Sequence, residues 1–189
     1  MADEEHLQII HQGVDVWNEW RKKNPKLIPD LHGAQLVRAD LSQAELVGAD
    51  LSEANLYAAN LRQTDLKNAI LNGADLVGSL LVESNLSGAS LLGSNVYGTS
   101  VWDIKVNDKT KQQNLIIAHP LRPDPPITVD NIEVAQFIYL LLNNQQIRKV
   151  IDTITSKAVL ILGRFLPEER KRILDALREE LRKQLRQRN

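Results

Sequence analysis

Residues 39–61 read ADLSQAELVGADLSEANLYAANL, with leucine at positions 41, 46, 51, 56 and 61. A period of five fits neither the 3.6-residue turn of an α-helix nor the two-residue alternation of a strand. The register extends outward on both sides, from Leu31 through Leu91 to Val96 and Val101. From Ala34 to Thr99, the residue two places before each aliphatic is Ala, Ser or Thr. Between the two stands, most often, Asp or Asn, as at Asp40, Asp50, Asn55, Asn60, Asp65, Asp75, Asn85 and Asn95. In extended chain, residues two apart share a face, so the small residue and the aliphatic point one way and the Asp or Asn points out. The remaining two positions are often polar or glycine (Gly48, Gly73, Gly78, Gly88, Gly93, Gly98) and suit a corner, where φ is positive. One short side and one corner, repeated, predict a coiled polygon with an aliphatic bore.

The A(D/N)LXX pattern over residues 29–103 resembles the pentapeptide-repeat family. The resemblance implies a mainly β fold: a right-handed quadrilateral β-helix of about four coils, with four repeats per coil. Residues i and i+20 then stack, and the outer walls become readable. One wall carries Val37, Tyr57, Val77 and Tyr97, an apolar and aromatic stripe. The next carries Leu80, Val82 and Trp102, with Leu80 in place of the usual Asp or Asn; Ile70 makes the same replacement on another side. Contiguous exposed apolar residues mark a contact site, covered either by the chain's own C-terminal segment or by a second copy or another protein. The polar columns Gln35, Asn55, Asp75, Asn95 and Glu45, Asp65, Asn85 largely interleave carboxylate with amide, which permits hydrogen-bonded ladders.

Residues 1–28 are expected to form a capping helix from 3 to about 23, with Asp3 as N-cap and Leu7, Ile10, Val14 and Trp17 on one face. Arg21, Lys22 and Lys23 suit its C-terminal dipole. Its sequence looks like the cap that precedes many such repeat domains, and Trp17 or Trp20 would lid the first coil over Leu31 and Leu36. His6 and His11 read as surface residues. Residues 104–130, with Pro120, Pro123, Pro125 and Pro126, read as an extended linker. Residues 131–189 read as mostly helical: a segment over 131–154 broken at Asn143-Asn144, a short apolar strand at KAVLILG, and a basic helix opened by Pro167. This segment resembles the start of a TIR-like α/β domain that follows the repeats in longer bacterial proteins, which would place further strands, and any effector chemistry, after Asn189.

Composition narrows the function. The 189 residues are 43% hydrophobic but only 4% aromatic, so the core must be aliphatic. Cysteine is absent, which excludes disulfides and thiolate metal sites. The acidic N-terminus has no apolar run of signal-peptide type, and no apolar stretch is long enough to span a bilayer; the expected setting is cytoplasmic. No nucleophile–base, metal-ligand or phosphate-loop constellation is present, so the chain reads as non-enzymatic and without cofactor: an interaction or assembly module whose partner is itself or another protein. The alternative is a DNA-mimicking gyrase or topoisomerase binder of the quinolone-resistance type. Charge argues against it: residues 29–103 hold nine acidic and three basic residues, a net −6, where duplex DNA carries roughly ten charges over about 18 Å. Direct DNA binding through the basic helix is disfavoured by Asp175, Glu179 and Glu180, interleaved as on a solvated surface helix.

Overall fold

The computed structural model describes residues 2–119, 121, 127–146, 149 and 153. Parallel single-residue bridges run from Asp30↔Asp50, Gln35↔Asn55, Asp40↔Asn60 and Glu45↔Asp65 up to Asn85↔Lys105, each joining residues twenty apart. This is the predicted four-sided coil, with one bridge per side. Each bridge carries a repeated set of backbone bonds, for example Leu36 N–H to Asn55 O (2.8 Å), Arg38 N–H to Tyr57 O (2.8 Å) and Asn55 N–H to Ala34 O (2.9 Å).

The bore is filled as the spacing predicts. Leu41 through Leu91 at every fifth position are at most 1% exposed, and the alanines two places earlier from Ala44 on are equally buried, apart from half-buried Ala39 at the lower end. Burying each leucine contributes about 1.5–3 kcal/mol before chain entropy is subtracted. Where a hydroxyl replaces alanine it must find a partner in the bore. Thr64, Ser94 and Thr99 donate to carbonyls of the coil below, Leu41, Leu71 and Leu76, at 2.8, 2.7 and 2.8 Å. Ser79 is buried and its hydroxyl has no partner.

The corners explain the remaining positions. Ala34 N–H bonds to Leu31 O (3.0 Å), and the residue between them at Gly33 has φ +68°, a type II turn. The same positive φ recurs every five residues, on non-glycines such as Arg38, Ala58 and Glu83 as well as on glycines. The Asp or Asn before each leucine does more than face solvent. Its Oδ1 accepts from the N–H two residues on, as in Asp40–Ser42, Asn55–Tyr57, Asp65–Lys67 and Asn95–Tyr97. Ser42, donating from its hydroxyl and then its amide, holds the Asp40 carboxyl below the usual range. Such a carboxylate contributes stability above its unfolded pKa and loses it as pH falls through the folded one. Amide ladders between coils are present at Asn55–Gln35, Asn60–Asp40 and Asn85–Asp65.

Three expectations change. The N-terminal helix is two helices, α1 (Glu4–His11) and α2 (Val14–Lys23), parted at Gly13, whose φ of +109° no helix tolerates. The Asp3 N-cap holds: its Oδ1 accepts from Glu5 and His6 N–H. His6 is 7% exposed and belongs to the buried set, not to the surface. Residues 104–117 are not linker. The coil continues through Asn85↔Lys105, Ser90↔Lys111 and Asn95↔Ile116, the last two with a spacing of twenty-one because one extra residue has entered the turn. The chain then forms β1 (Leu115–Ile117), paired antiparallel with β2 (Ile127–Val129), and α3 (Ile132–Asn143). Asn131 caps α3, accepting from Val134 N–H, and the helix ends at the predicted Asn143-Asn144 break. Ile132 and Ala135 join the core, while Phe137 is 58% exposed. The apolar strand, the basic helix and the TIR-like reading lie outside the described residues.

Ser79→Ala removes an orphan hydroxyl and is expected to stabilise the protein by about 1 kcal/mol. Ser94→Ala removes the hydroxyl bonds to Leu71 O and Leu91 O, while the Leu71 carbonyl keeps the Ala74 N–H, and is expected to destabilise the protein by about 0.5–1.5 kcal/mol. Urea unfolding of the two variants beside the parent reads both signs.

Candidate interaction surfaces

A coil wall satisfies its own backbone only through the coil above and below it. At the first coil the lower edge has no coil beneath, and unpaired edge amides invite association. The helical cap answers this with side chains. Asn18 Oδ1 accepts from Glu45 N–H (2.8 Å) and its amide donates to Gln43 O (3.0 Å). The indole of Trp17, fully buried, donates to Glu45 O (3.0 Å). Arg21 donates to Leu27 O and Val47 O and lies over the ring of Trp20. Burial lowers the pKa of its guanidinium against the opposing pull of Glu45. On the Asp30 side, His6 Nδ1 accepts from Asp30 N–H (3.1 Å) and Asp3 N–H donates to Asp30 O (3.1 Å). Of the two tryptophans proposed as a lid, Trp17 is fully buried in the core cluster with Leu31 and Leu36, and Trp20, half-buried, packs beside it at 5.1 Å and against the edge of His6 at 4.9 Å.

The upper end uses the same device. Gln136 of α3, 8% exposed, accepts from Val101 N–H (2.9 Å), and Gln112 Oε1 accepts from Ile132 N–H (2.9 Å). Asn18 and Gln136 were not singled out from the sequence, and His6 was read as a surface residue. A signal existed for Gln136 alone: a single amide within the apolar run VAQFIYLLL marks a buried polar contact. Asn18 stands among surface-type residues and gives no such hint.

The structure divides the predicted apolar stripe. Val37 is 46% and Tyr57 36% exposed, while Val77 is buried. Tyr97 is half-buried, packed edge-on against His119 at 5.0 Å and Tyr139 of α3 at 4.9 Å. The upper part of this wall is therefore met at Tyr97 by the chain's own later residues, and among the described residues the lower half is open. On the adjoining wall Leu80 and Val82 are half-buried and Trp102 is 59% exposed. An open groove between α1 and α2 is lined by Ile9, Val16 and Trp20, with Asp15, Glu19 and Lys23. Among the described residues, no group of His, Asp and Glu is arranged to hold a metal ion, and no helix is long and apolar enough to cross a membrane.

Residues 34–73 and 69–101 match the family model described as pentapeptide repeats, in eight copies. The coil is a pentapeptide-repeat region. The chain is similar to a pentapeptide repeat protein from the cyanobacterium Cyanothece 51142, at 36% identity over 43% of this chain and 55% of that one, with a TM-score of 0.43. It is also similar to a pentapeptide repeat protein from the Arabidopsis thaliana thylakoid lumen, at 29% identity over 59% and 70%, TM-score 0.37. A third similar structure is a pentapeptide repeat protein from Nostoc Pcc 7120, at 27% identity over 50% and 95%, TM-score 0.28. This chain spans about half the length of the first of these. No curated protein matches it.

Asn18→Ala leaves the Glu45 amide and the Gln43 carbonyl without their partners. It is expected to cost about 1–3 kcal/mol and to speed hydrogen exchange at the Glu45 amide while the Leu46 amide, bonded to Asp65 O, keeps its protection. Urea unfolding and amide exchange followed by NMR check the two halves of that statement.

Proposed function

We propose that the protein is a non-enzymatic interaction or assembly module whose contact surface is the exposed apolar part of two adjoining walls: Val37 and Tyr57 on one, Leu80, Val82 and Trp102 on the other. The observation that carries this reading is the 59% exposure of Trp102 on a wall whose fold does not need it. The coil is held by buried leucines and coil-to-coil backbone bonds, so an exposed indole adds nothing to its stability. Large aromatic residues are enriched where proteins bind one another. The partner is a second copy of the chain or another protein, and in a longer protein the module would carry an effector or signalling domain beyond it.

DNA mimicry toward gyrase or topoisomerase is the competing use of the same coil. Its support is the nine acidic residues between 29 and 103. Against it stand the net charge of only −6 and the apolar walls, which a nucleic-acid-binding groove would not match. A gyrase supercoiling assay with and without the protein separates the two.

A photo-crosslinking residue placed at 57 or at 102, in cells that make the protein, is expected to trap a defined adduct. An adduct of twice the monomer mass identifies self-association, and any other single mass a second protein. No adduct from either position, with adducts from a site on the opposite walls, overturns the reading. Tyr97→Ser serves as contrast: because Tyr97 packs on His119 and Tyr139, it is expected to lower stability without changing the adduct.

A further inference from the structure

The buried histidine of the cap has a role that neither the repeat nor the interaction surface explains. His6 Nδ1 accepts the Asp30 N–H at 3.1 Å, so the ring is neutral in this arrangement and carries its proton on Nε2. The ring is 7% exposed and stands edge-on to Trp20. We infer that His6 is a proton-sensitive latch that fastens α1 to the edge of the first coil and releases it on acidification.

The chemistry follows from the groups around the ring. Once protonated, Nδ1 is a donor and faces another donor, the Asp30 amide, so the bond cannot survive. An acceptor for the new N–H is Asp3 Oδ1, 4.0 Å away on the same helix terminus. That oxygen already caps Glu5 and His6 N–H, so a small turn of the ring toward it replaces one tie to the coil with one inside α1 and leaves the Asp3 N–H bond to Asp30 O as the other. Glu4 and Glu5 stand exposed in the first turn of the same helix. From α2 the ring meets Trp20, with the Arg21 guanidinium over that indole. From the coil it meets the Asp30 amide, while the Asp30 carboxylate is turned to His32 N–H. The acceptor exists only in the neutral form, so protonation of the ring weakens the closed latch. Trp17, Asn18 and Arg21 hold α2 with groups that do not change charge there, so opening is confined to α1. What opening uncovers is the Asp30 edge of the first coil, a strip of backbone able to pair with another chain.

Amide hydrogen exchange by NMR tests this on the whole chain between pH 8 and pH 5.5, corrected for the intrinsic pH dependence of exchange. Protection at Asp30 is expected to drop about tenfold across that range, the worth of one hydrogen bond. Protection at Leu31, whose amide bonds to Asp50 O at 2.7 Å, is expected to stay constant, which separates local release from unfolding. His6→Asn keeps an acceptor atom at the same branch point and removes the titration; its Asp30 protection is expected to be flat. An equal drop in parent and variant, or none in the parent, overturns the latch. Should the variant fail to fold, the nitrogen shifts of the His6 ring in the parent decide: a ring that titrates while Asp30 exchange stays unchanged overturns it too.

Discussion

Every residue of a coil wall depends on a partner twenty residues away. The bridges Asp30↔Asp50 through Leu80↔Ser100 make one continuous ladder per side, and each rung satisfies the backbone of the rung below. This arrangement has no internal end, because any coil could accept another. The two termini of the ladder are therefore where the structure has to be specified by particular side chains. At the bottom, Asn18, Trp17, Arg21 and His6 supply the donors and acceptors that a further coil would have offered. At the top, Gln136 does the same for Val101. Asn18 and Gln136 come from unrelated stretches of sequence and make one kind of bond: a side-chain amide oxygen accepting from an edge N–H that no neighbouring coil can reach.

The corner chemistry accounts for the composition of the repeat. A type II corner needs positive φ at its second central residue, which costs roughly 1–2 kcal/mol on a residue other than glycine. Non-glycines such as Arg38, Gln63 and Glu83 bear that cost. The Asp or Asn ahead of each leucine offsets part of it by accepting the corner's free N–H. Glycine is further favoured where a second condition applies. At Gly88 a Cβ would run into Asn68 Oδ1 of the coil below, whereas at Gly48 it would meet nothing.

These relationships divide what the sequence discloses from what it conceals. The coil was legible because each role is repeated every five residues, so the pattern of Leu, small and Asp or Asn reports a single geometry many times over. Cap contacts occur once each and join residues far apart in the chain, as Trp17 to Glu45, and no local pattern announces them. The continuation through Lys105 and Lys111 was hidden for a related reason. Lys105 and Lys111 stand where Asp or Asn was expected, and one inserted residue broke the count. Backbone pairing tolerates that insertion because the ladder reads positions in space, not in sequence. His6 was misplaced on the surface because an imidazole that accepts from a main-chain amide looks, in one dimension, like any polar residue on a helix.

The same division bears on where function can reside. Bore positions admit only a leucine-sized or a methyl-sized group, as the replacement of Ala by Thr64, Ser79, Ser84, Ser94 and Thr99 illustrates: each substitute is small, and every one except Ser79 has found a carbonyl. Corner positions are tied to φ. What remains free is the first turn residue of each repeat, which projects from a wall and takes part in no obligatory bond through its side chain. Along one wall that position runs Val37, Tyr57, Val77, Tyr97, and along the next Ser42, Arg62, Val82, Trp102. Apolar choices there are not imposed by the coil. Where the chain itself meets them, as His119 and Tyr139 meet Tyr97, packing accounts for the choice. At Trp102 the residue is more than half exposed, and packing among the described residues does not account for it. An apolar side chain at a position the fold leaves free, and which the fold does not cover, is the feature that directs attention to the walls rather than to the bore or the caps.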